Sequence, residues 1–369
     1  MTSTMFARDP YLDCEGHREL VLRSVTGTHR FFRMSGPLMQ TVFADLVDHS
    51  NIPKILIHGN PHVANYCKTR RGAAMADFDR SRIGPYAYDL VRFLISVSLS
   101  RDIQDADLLH PIIIEQFKRG YLAGFNSQTP DYDEMYELRH TEPKKWQAST
   151  NTYLESGKKW AKRLNLHQTK ISKRRTRMLS KYLSNRGELD LLERHQLKKC
   201  AQVAGSMGKL HHLYLLQDRK NKKDAILIDI KEVYEETDNQ WYTNPFAHHG
   251  ERMNAAGDIY APGWEQRPGH TSDKHQQYWV RQIPTQQIKI TIPLTQLDQC
   301  DLCYAVGSQL GSGHARAADA DTQIEILNDF NQRFNTYLEA ATMMRNQVIA
   351  ARQLYCKDVL KQGLARSAK

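Results

Sequence analysis

The chain has 369 residues, and its 40% apolar and 25% charged content is ordinary for a folded protein with a real core. No apolar run approaches the roughly 20 residues of a membrane-spanning helix, and the first residues lack the basic and apolar pattern of a signal peptide. The 6 cysteines are scattered, which excludes a disulfide scaffold and is typical of a reducing compartment. These features predict a soluble, cytoplasmic protein with no membrane span.

The net charge of +10 is concentrated between residues 141 and 200, which hold 16 Lys and Arg against 5 Asp and Glu. The densest block runs from Lys170 to Arg177. Such a block suits nucleic acid, an anionic surface or an acidic partner, but the segment has few aromatic side chains for stacking bases. We favour a solvated face on a helical insertion and keep nucleic-acid binding as the less favoured alternative.

Hydrophobic periodicity and turn residues divide the chain into helical and strand-forming parts. In chain order, the predicted elements are a helical stretch to about residue 48, short strands at 55–57 and 73–76, helices over 87–100 and 108–125, helices joined by polar loops over 141–199, strands at 202–204, 210–216 and 225–231, a long polar loop over 236–277 with one short helix at 251–260, a strand at 278–283, and helices in the last third.

The strand at 225–231 has the clearest alternation. Ile226, Ile228 and Ile230 share one face, so that Lys231 lies on the other face with Leu227 and Asp229.

The first polar cluster runs from His58 to Asn65 and is followed by Asp77-Phe78-Asp79. Two short strands between Asn65 and Asp77 would form a hairpin and bring these two residues together at its open end. Oxygen ligands from Asn and Asp suit Mg²⁺, which takes its remaining ligands from water and phosphates. Taken alone, such residues are more often turn or cap residues, but the helix that follows, with Asp89 near its start, makes the combination more specific.

The second cluster is the glycine turn Gly205-Ser206-Met207-Gly208 between two strands, followed by Lys231 near the end of the next strand. A Gly-x-x-Gly turn by itself is weak evidence for a phosphate-binding loop, because it is often only a tight turn. A lone Lys at a strand end is usually a surface residue. Together they match what phosphoryl transfer needs, because a glycine loop covers the phosphates and a Lys neutralises them.

Several segments resemble the catalytic segments of aminoglycoside phosphotransferase-like kinases: His58-Gly59-Asn60 with His62 and Asn65, Asp77-Phe78-Asp79, and Gly84-Pro85 with Asp89. The whole chain is similar to a bacterial family known only as domain of unknown function 2252, over about residues 30 to 345. Further matches follow in the family's order at Phe32-Arg33, Gly205 to Gly208, Ile230-Lys231-Glu232, Val280-Arg281-Gln282 and Gly313-His314-Ala315-Arg316.

The resemblance implies an α+β, two-lobed protein-kinase-like fold with a helical large lobe and a small antiparallel-sheet lobe. In an ordinary kinase the glycine loop and Lys precede the catalytic loop, whereas here they follow it, so the order is circularly permuted. The expected divisions are 1–199, a large-lobe segment with the catalytic and metal-binding loops and the basic helical region; 200–290, the small lobe; and 291–369, the large-lobe helices after the hinge. Permutation is tolerated when the termini lie close together at the surface.

The same resemblance implies two cofactors, ATP (or another nucleoside triphosphate) and Mg²⁺. The residues that it assigns to the nucleotide are Gly205, Ser206, Met207, Gly208, Lys231 and Glu251. It assigns the metal to Asn65 and Asp77, and Asp77 is also predicted to be catalytic, with Asn60, His58 and His62.

The resemblance also gives Lys231 an ion-pair partner, Glu251, with Glu232 and Glu235 as weaker candidates. Asp89 is expected to hydrogen-bond the backbone of the catalytic loop. His314 matches a family position but receives no role.

The position of the kinase catalytic Asp is occupied by Asn60. An amide cannot accept a proton as a carboxylate does, and general-base catalysis is typically worth ~10²–10⁴-fold. Three consequences stay open: binding without turnover, replacement of the base by His58, His62 or Asp79, or a reaction that needs little base because positioning dominates. Adenylyl transfer also stays open.

The leading interpretation is an ATP- and Mg²⁺-binding phosphotransferase or related nucleotidyl transferase on an unknown small-molecule or protein substrate. The first alternative is a catalytically inactive kinase-like module that binds a nucleotide or a partner. The second is a binder of nucleic acid or an anionic surface through residues 141–199, in which Lys173, Arg174, Arg175 and Arg177 carry the charge.

Overall fold

The computed structural model describes residues 21–23, 26–69, 72–101, 109–129, 135, 138, 149–157, 159–205, 208–221, 225–235, 237–284 and 287–367, with side chains to residue 359. The helices are α1 (Gly27–Met34), α2 (Gly36–Leu46), α3 (Ala87–Ser98), α4 (Pro111–Ser127), α5 (Thr150–Glu155), α6 (Lys159–Leu166), α7 (Lys173–Asn185), α8 (Leu191–Arg194), α9 (His249–Tyr260), α10 (Gln296–Ala317) and α11 (Ala320–Ser367). The strands are β1 (Lys54–Ile57), β2 (Tyr66–Thr69), β3 (Gly72–Met75), β4 (Arg82–Pro85), β5 (Gln168–Thr169), β6 (His195–Ala204), β7 (Leu210–Asp218), β8 (Ala225–Glu232), β9 (Gln266–Asp273), β10 (Gln276–Gln282) and β11 (Ile288–Lys289). Within these ranges, no helix has the length and apolar character needed to cross a membrane.

The predicted α+β class is confirmed, and its largest sheet has six antiparallel strands in the order β5-β6-β7-β8-β10-β9. Strands β6, β7 and β8 form a meander, α9 follows, and the hairpin β9–β10 returns so that β10 pairs with β8. The register places Lys231 between His211 of β7 and Trp279 of β10, and it places Asp229 beside Arg281. Since cross-strand partners share a face, these side chains project from one side of the sheet.

Helices of the basic segment cover both faces of this sheet. On one face, Ile228 and Ile230 pack with buried side chains of α7 and α8. On the other face, Leu227 packs with Ala161 and Leu164 of α6. The alternation predicted for β8 is therefore confirmed, because its two sets of side chains enter two different cores.

The predicted division at residue 200 falls inside β6, and helices α5 to α8, on the other side of that division in the chain, pack on the six-stranded sheet. The basic composition of this segment concealed its apolar faces; on α7 the buried residues are Met178, Leu179, Tyr182 and Leu183.

A strand missed by the sequence analysis is β9, which lies in the predicted loop over 236–277. Its sequence, QRPGHTSD, has no apolar alternation, and most of its residues are only partly buried. It forms the edge of the sheet, where hydrogen bonding to β10 substitutes for a hydrophobic face.

The helical part is built around α3, every residue of which is buried. Helices α4 and α10 approach each other so closely that glycines replace side chains along their contact, at Gly120 and Gly124 on α4 and at Gly307 and Gly311 on α10. A Cβ added at Gly124 would lie 2.0 Å from the carbonyl oxygen of Ser308.

The described residues also form two small antiparallel sheets. The antiparallel hairpin β2–β3 pairs with β11, which follows β10 along the chain. Strand β1 pairs with β4 and leads directly into the loop that begins at His58. The hairpin predicted between Asn65 and Asp77 is thus confirmed, and the backbone N–H of Ala76 donates to the carbonyl oxygen of Asn65 at 3.2 Å.

Candidate functional site

The loop at residues 58–62 depends on one glycine and one buried carboxylate. Gly59 has a φ of +79°, and an added Cβ would lie 1.9 Å from the carbonyl oxygen of Arg80, so only glycine fits. The carboxylate of Asp89 accepts hydrogen bonds from the backbone N–H groups of His58 at 2.7 Å and Gly59 at 2.8 Å. This confirms the hydrogen bonding predicted for Asp89.

Asp89 is itself fixed by side chains from other helices. Nε2 of His314 lies 3.4 Å from a carboxylate oxygen of Asp89, and Nδ1 of His314 lies 3.0 Å from the hydroxyl of Tyr121. All three residues are fully buried. His314 therefore stabilises the loop indirectly, by holding Asp89 in place.

Asn60 is oriented by a buried arginine. The amide oxygen of Asn60 accepts hydrogen bonds from Nε of Arg92 at 3.0 Å and from a terminal guanidinium nitrogen of Arg92 at 2.8 Å. The guanidinium group also stacks 3.8 Å from the ring centre of Phe32. Because a guanidinium only donates, the amide must present its oxygen to Arg92, which directs its NH₂ group elsewhere.

Lys231 binds two carboxylates of the loop after β3. Its Nζ contacts a carboxylate oxygen of Asp79 and lies 3.7 Å from a carboxylate oxygen of Asp77. Asp77 has a φ of +78° and a side chain that is 46% exposed, whereas the side chains of Asp79 and Lys231 are each 12% exposed. Asp77 therefore faces open space while Asp79 is held against the Lys.

The ion-pair partner predicted for Lys231 has to be corrected. Glu251 lies in the first turn of α9 with an exposed side chain, and Glu235 is also exposed. Glu232, the next residue on β8 after Lys231, instead accepts a hydrogen bond from the backbone N–H of Leu210 at 3.0 Å. Asp79 and Asp77 pair with Lys231 instead of a Glu, because the loop after β3 lies against the face of the sheet from which Lys231 projects.

The three charged groups shift one another's pKa in opposite directions. Burial and the neighbouring Asp77 raise the pKa of Asp79. The partial removal of Asp77 from water would by itself raise its pKa, but the positive charges of Lys231 and Arg281 outweigh this effect and hold that pKa below its ordinary value. Burial opposes the charge of Lys231, but the two carboxylates outweigh it and raise the pKa of this Lys. Asp77 is thus a charged, accessible carboxylate, as a metal ligand must be.

Asn65 and Asp77 line the same cavity, of about 430 Å³. Asn65 is 4% exposed, and its Nδ2 atom has no hydrogen-bond partner among the described residues. Among the described residues, no group of three or more His, Cys, Asp or Glu side chains could hold a metal ion. The side chains of Asn65 and Asp77 carry oxygen ligands of the kind that Mg²⁺ takes together with water and phosphate.

The glycine turn lies at the same place. Gly208 has a φ of +80°, and the backbone N–H of Gly205 donates to the carbonyl oxygen of Lys209 at 2.7 Å. Gly205 lines the 430 Å³ cavity and also a smaller neighbouring cavity of about 100 Å³. The predicted residues Ser206 and Met207 lie outside the described residues.

The predicted histidines differ in position. His62 lines the smaller cavity together with Asn60, Asp77 and Asp79. Burial, with the charge of Arg33, lowers the pKa of His62 well below its ordinary value, so this ring is neutral at physiological pH.

His58 packs behind the loop, 4.9 Å from the ring centre of Phe78 and 5.8 Å from that of Tyr260. It lines neither of these two cavities in the described structure. A direct role of His58 at a ligand is therefore not supported.

Several cavity residues were missed as site residues. His211, from β7, lines both cavities, and its Nδ1 atom lies 2.9 Å from the buried carboxylate of Asp229. Arg281, on the same sheet face, lies 2.8 Å from Glu265. The signal available in the sequence was polar residues at alternate positions of apolar strands, which indicates a face turned towards a site rather than towards a core.

The basic block lies away from this cavity, on α7. Arg174 and Arg177 both bind the carboxylate of Asp273 on β9, with side chains that are 58% and 69% exposed. Arg175 donates to the side chain of Gln202 at 3.0 Å. These three arginines of the block therefore join α7 to strands β6 and β9 of the large sheet.

A sequence profile described as an uncharacterized protein conserved in bacteria, DUF2252, matches residues 21–197 and 133–358 of the chain. The two matched segments overlap and together span most of its length. No curated protein and no solved structure matches the chain significantly.

Proposed function

This chain belongs to the uncharacterized bacterial family DUF2252, and we propose that it binds a nucleoside triphosphate with Mg²⁺ and transfers a phosphoryl group from it to an acceptor. The observation that carries the proposal is the convergence of Lys231, Asp77, Asn65 and Gly205 on one cavity from three separate segments. In protein kinases, phosphoryl transfer uses a Lys on the phosphates, Mg²⁺ held by an Asp and an Asn, and a glycine-rich loop over the phosphates.

The order of the elements in the large sheet supports a kinase-like, circularly permuted fold for this site. In protein kinases a glycine-rich loop covers the phosphates and the Lys lies on the third strand. Here the glycine turn joins β6 to β7, Lys231 lies on β8, and a helix separates this meander from the remaining hairpin. The catalytic loop precedes all of these elements in the chain.

A bound nucleotide would change the pairing of Lys231. In the structure this Lys contacts Asp79, and phosphate oxygens would compete for the same ammonium group. Release of Lys231 would free the carboxylate of Asp79. Burial and the neighbouring Asp77 raise the pKa of this carboxylate. One of its oxygens, Oδ1, has no hydrogen-bond partner among the described residues. A carboxylate of raised pKa near the reacting atoms is suited to general-base catalysis.

Asp79 therefore takes the role that Asn60 does not fill. The acceptor hydroxyl gives its proton to Asp79 as its oxygen forms a bond to the terminal phosphorus. The bond between that phosphorus and the oxygen of the leaving nucleoside diphosphate breaks in the same step. Mg²⁺, held by Asp77 and Asn65, would neutralise charge on the phosphates.

Calorimetric titration of ATP with and without Mg²⁺ tests the proposal, on wild type, Lys231→Ala and Asp77→Ala. We expect Mg²⁺-dependent binding that both variants lose by at least about tenfold, since hydrogen bonds to charged groups are worth roughly 1.5–3 kcal/mol. Lys198→Ala is the matched control, because Lys198 is an exposed Lys of the same sheet. The absence of binding to wild type, or equal binding by all variants, would reject the proposal.

The second candidate is a module that binds the nucleotide without turnover, and the hydrogen bonding of Asn60 to Arg92 favours it. An amide that is held by a buried Arg neither accepts a proton nor moves towards an acceptor. A product assay on wild type and Asp79→Asn separates transfer from binding without turnover. If the protein is a transferase, wild type forms product and Asp79→Asn does not. A wild type that binds ATP and yields no product with any acceptor supports the second candidate.

A further inference from the structure

The 430 Å³ cavity is strongly cationic. Six Lys and Arg side chains line it, and Asp77 is the only carboxylate among its described lining residues. Two of the six cations have anionic partners in the structure. Lys231 pairs with Asp79 and Asp77, and Arg281 pairs with Glu265 at 2.8 Å.

The other four cations are Arg33, Lys159, Arg163 and Lys289, which we call the cation wall. None of them forms an ion pair with a carboxylate among the residues that the structure describes. They come from α1, α6 and β11, which are far apart in the sequence. The folded chain thus brings together like charges that no local sequence pattern requires.

Helix α6, which supplies two of the four cations, is held in place by packing. Helix α6 is anchored to the large sheet through the buried residues Ala161 and Leu164. On its cavity side, Lys159 and Arg163 lie 5.1 Å and 5.3 Å from the ring centre of Trp160. The apolar contacts therefore hold the backbone of α6 beside the cavity, so that both cations project from the cavity wall.

Gathering these charges has an electrostatic cost. Removal from bulk water, together with Arg163 and Lys289, lowers the pKa of Lys159 to about 8, although its side chain is open to the cavity. Burial and the neighbouring Arg30 lower the pKa of Arg33 to about 10. A polyanion bound at the cation wall would offset this repulsion.

We propose that the cation wall binds the acceptor substrate through its phosphate groups, so that the acceptor is a phosphorylated small molecule. The inference rests on the proposed nucleotide-dependent function, since it names the second ligand of the same cavity. Guanidinium groups match phosphate oxygens in pairs. Tyr153 and Trp160 add aromatic surface for the carbon skeleton, and the cavity volume falls within the range of small-molecule sites.

The phosphates of the nucleotide do not account for the cation wall. Lys231 and a metal ion at Asp77 and Asn65 would already neutralise most of a bound triphosphate. The four cations of the wall would then remain without counter-charge unless a second anion binds. Their number therefore points to an acceptor with more than one negative charge.

Calorimetry in phosphate-free buffer tests the inference, with fructose 1,6-bisphosphate as probe and fructose as uncharged control. Titrations are made with Mg²⁺ and a saturating non-hydrolysable ATP analogue, so that the nucleotide site is filled. For Arg163→Gln/Lys289→Gln we expect probe binding to weaken by at least about tenfold, because each charge-assisted hydrogen bond is worth roughly 1.5–3 kcal/mol. Nucleotide affinity should change by less than about threefold, since these side chains do not hold the nucleotide.

Lys162→Gln is the matched control, because Lys162 is an exposed Lys of the same helix that lies outside the cavity lining. It should change neither affinity, and circular dichroism checks that each variant is folded. The inference is overturned if the double variant binds the probe as wild type does, if it loses nucleotide and probe equally, or if wild type binds the nucleotide but not the probe. Probe binding at the wall without any nucleotide binding would support the cation wall and contradict the nucleotide-dependent function.

Discussion

Arg92 determines what Asn60 can do. Its guanidinium group is fully buried, stacks on Phe32 and donates twice to the amide oxygen of Asn60. The acceptor that Asn60 offers to Arg92 is a neutral amide oxygen, which carries no formal charge. The same position therefore affects both stability and chemistry, and the two effects can be measured separately.

For Asn60→Asp we expect the free energy of unfolding at pH 7 to rise by about 1 kcal/mol, because a carboxylate would add ion pairing to the two hydrogen bonds that the guanidinium of Arg92 already donates. The new carboxylate would stay ionised against Arg92 and would be a poor base, so transfer should not increase more than about tenfold. Urea unfolding and product assays measure the two quantities. Asn328→Asp, at an exposed position within α11, is the control. A loss of stability, or a gain in transfer of a hundredfold, would contradict this account.

His29 gives a pH dependence that can be assigned to one residue. It is buried with its Nε2 atom 3.0 Å from the hydroxyl of Ser96, and burial together with Arg33 and Arg92 lowers its pKa to about 3. Between about pH 6.5 and 3 the unfolded chain binds a proton at this position and the folded chain does not. The contribution of His29 to stability therefore decreases as the pH falls, by up to about 1.4 kcal/mol per pH unit.

His29→Gln should reduce the steepness with which the free energy of unfolding falls between pH 7 and pH 5. Gln keeps a hydrogen-bonding group near Ser96 but does not titrate. The measurement is urea unfolding at several pH values, with His167→Gln, at an exposed position, as control. Parallel pH profiles for His29→Gln and wild type would show that His29 is protonated in the folded chain.

At the scale of elements, the contact between α4 and α10 leaves no room for larger side chains at its glycines. The two backbones meet at glycines, and the position of Gly124 leaves no room for a methyl group. Helix α10 also carries His314, which supports the loop that contains His58 and Gly59 through Asp89. If these helices moved apart, His314 would shift and the loop at the candidate site would lose part of its support.

Gly124→Ala should lower the free energy of unfolding by about 1–3 kcal/mol, as expected when a methyl group is forced into a filled contact. Gly257→Ala in α9 is the matched control, because there the nearest atom to an added Cβ is 3.6 Å away. The control should be neutral or more stable by up to about 1 kcal/mol, since Ala has the higher helix propensity. Equal destabilisation by the two substitutions would argue against the close approach of α4 and α10.

At the scale of the whole molecule, the excess positive charge lies in two places. Part of it lies in the cation wall through Lys159 and Arg163, and part lies on α7 in ion pairs with Asp273. In the sequence, residues 141–199 form one basic region. The fold divides that region between a cavity and an exposed helix face.

Neutralising Arg174 and Arg177 together should change the free energy of unfolding by no more than about 1 kcal/mol, because exposed ion pairs contribute little. It should leave ATP binding unchanged, since neither residue lines the cavities beside Lys231. Urea unfolding and calorimetry measure both, with Lys181→Gln on the same helix as control. Loss of salt-dependent nucleic-acid binding in the double variant would instead favour the alternative of a nucleic-acid binder.

The sequence by itself determined the α+β class, most strands and helices, the hairpin between Asn65 and Asp77, and the hydrogen bonding of Asp89. These features depend on local periodicity, turn residues and short spacings, which a single chain displays directly. Only the tertiary structure decided the partners of Lys231, the restraint of Asn60 by Arg92, and the position of the basic segment against the large sheet. Each of these joins residues that are distant in sequence, so the contact depends on how helices and sheets pack. The cation wall is the clearest case, because Arg33, Lys159 and Lys289 become neighbours only when three separate segments of the chain meet around one cavity.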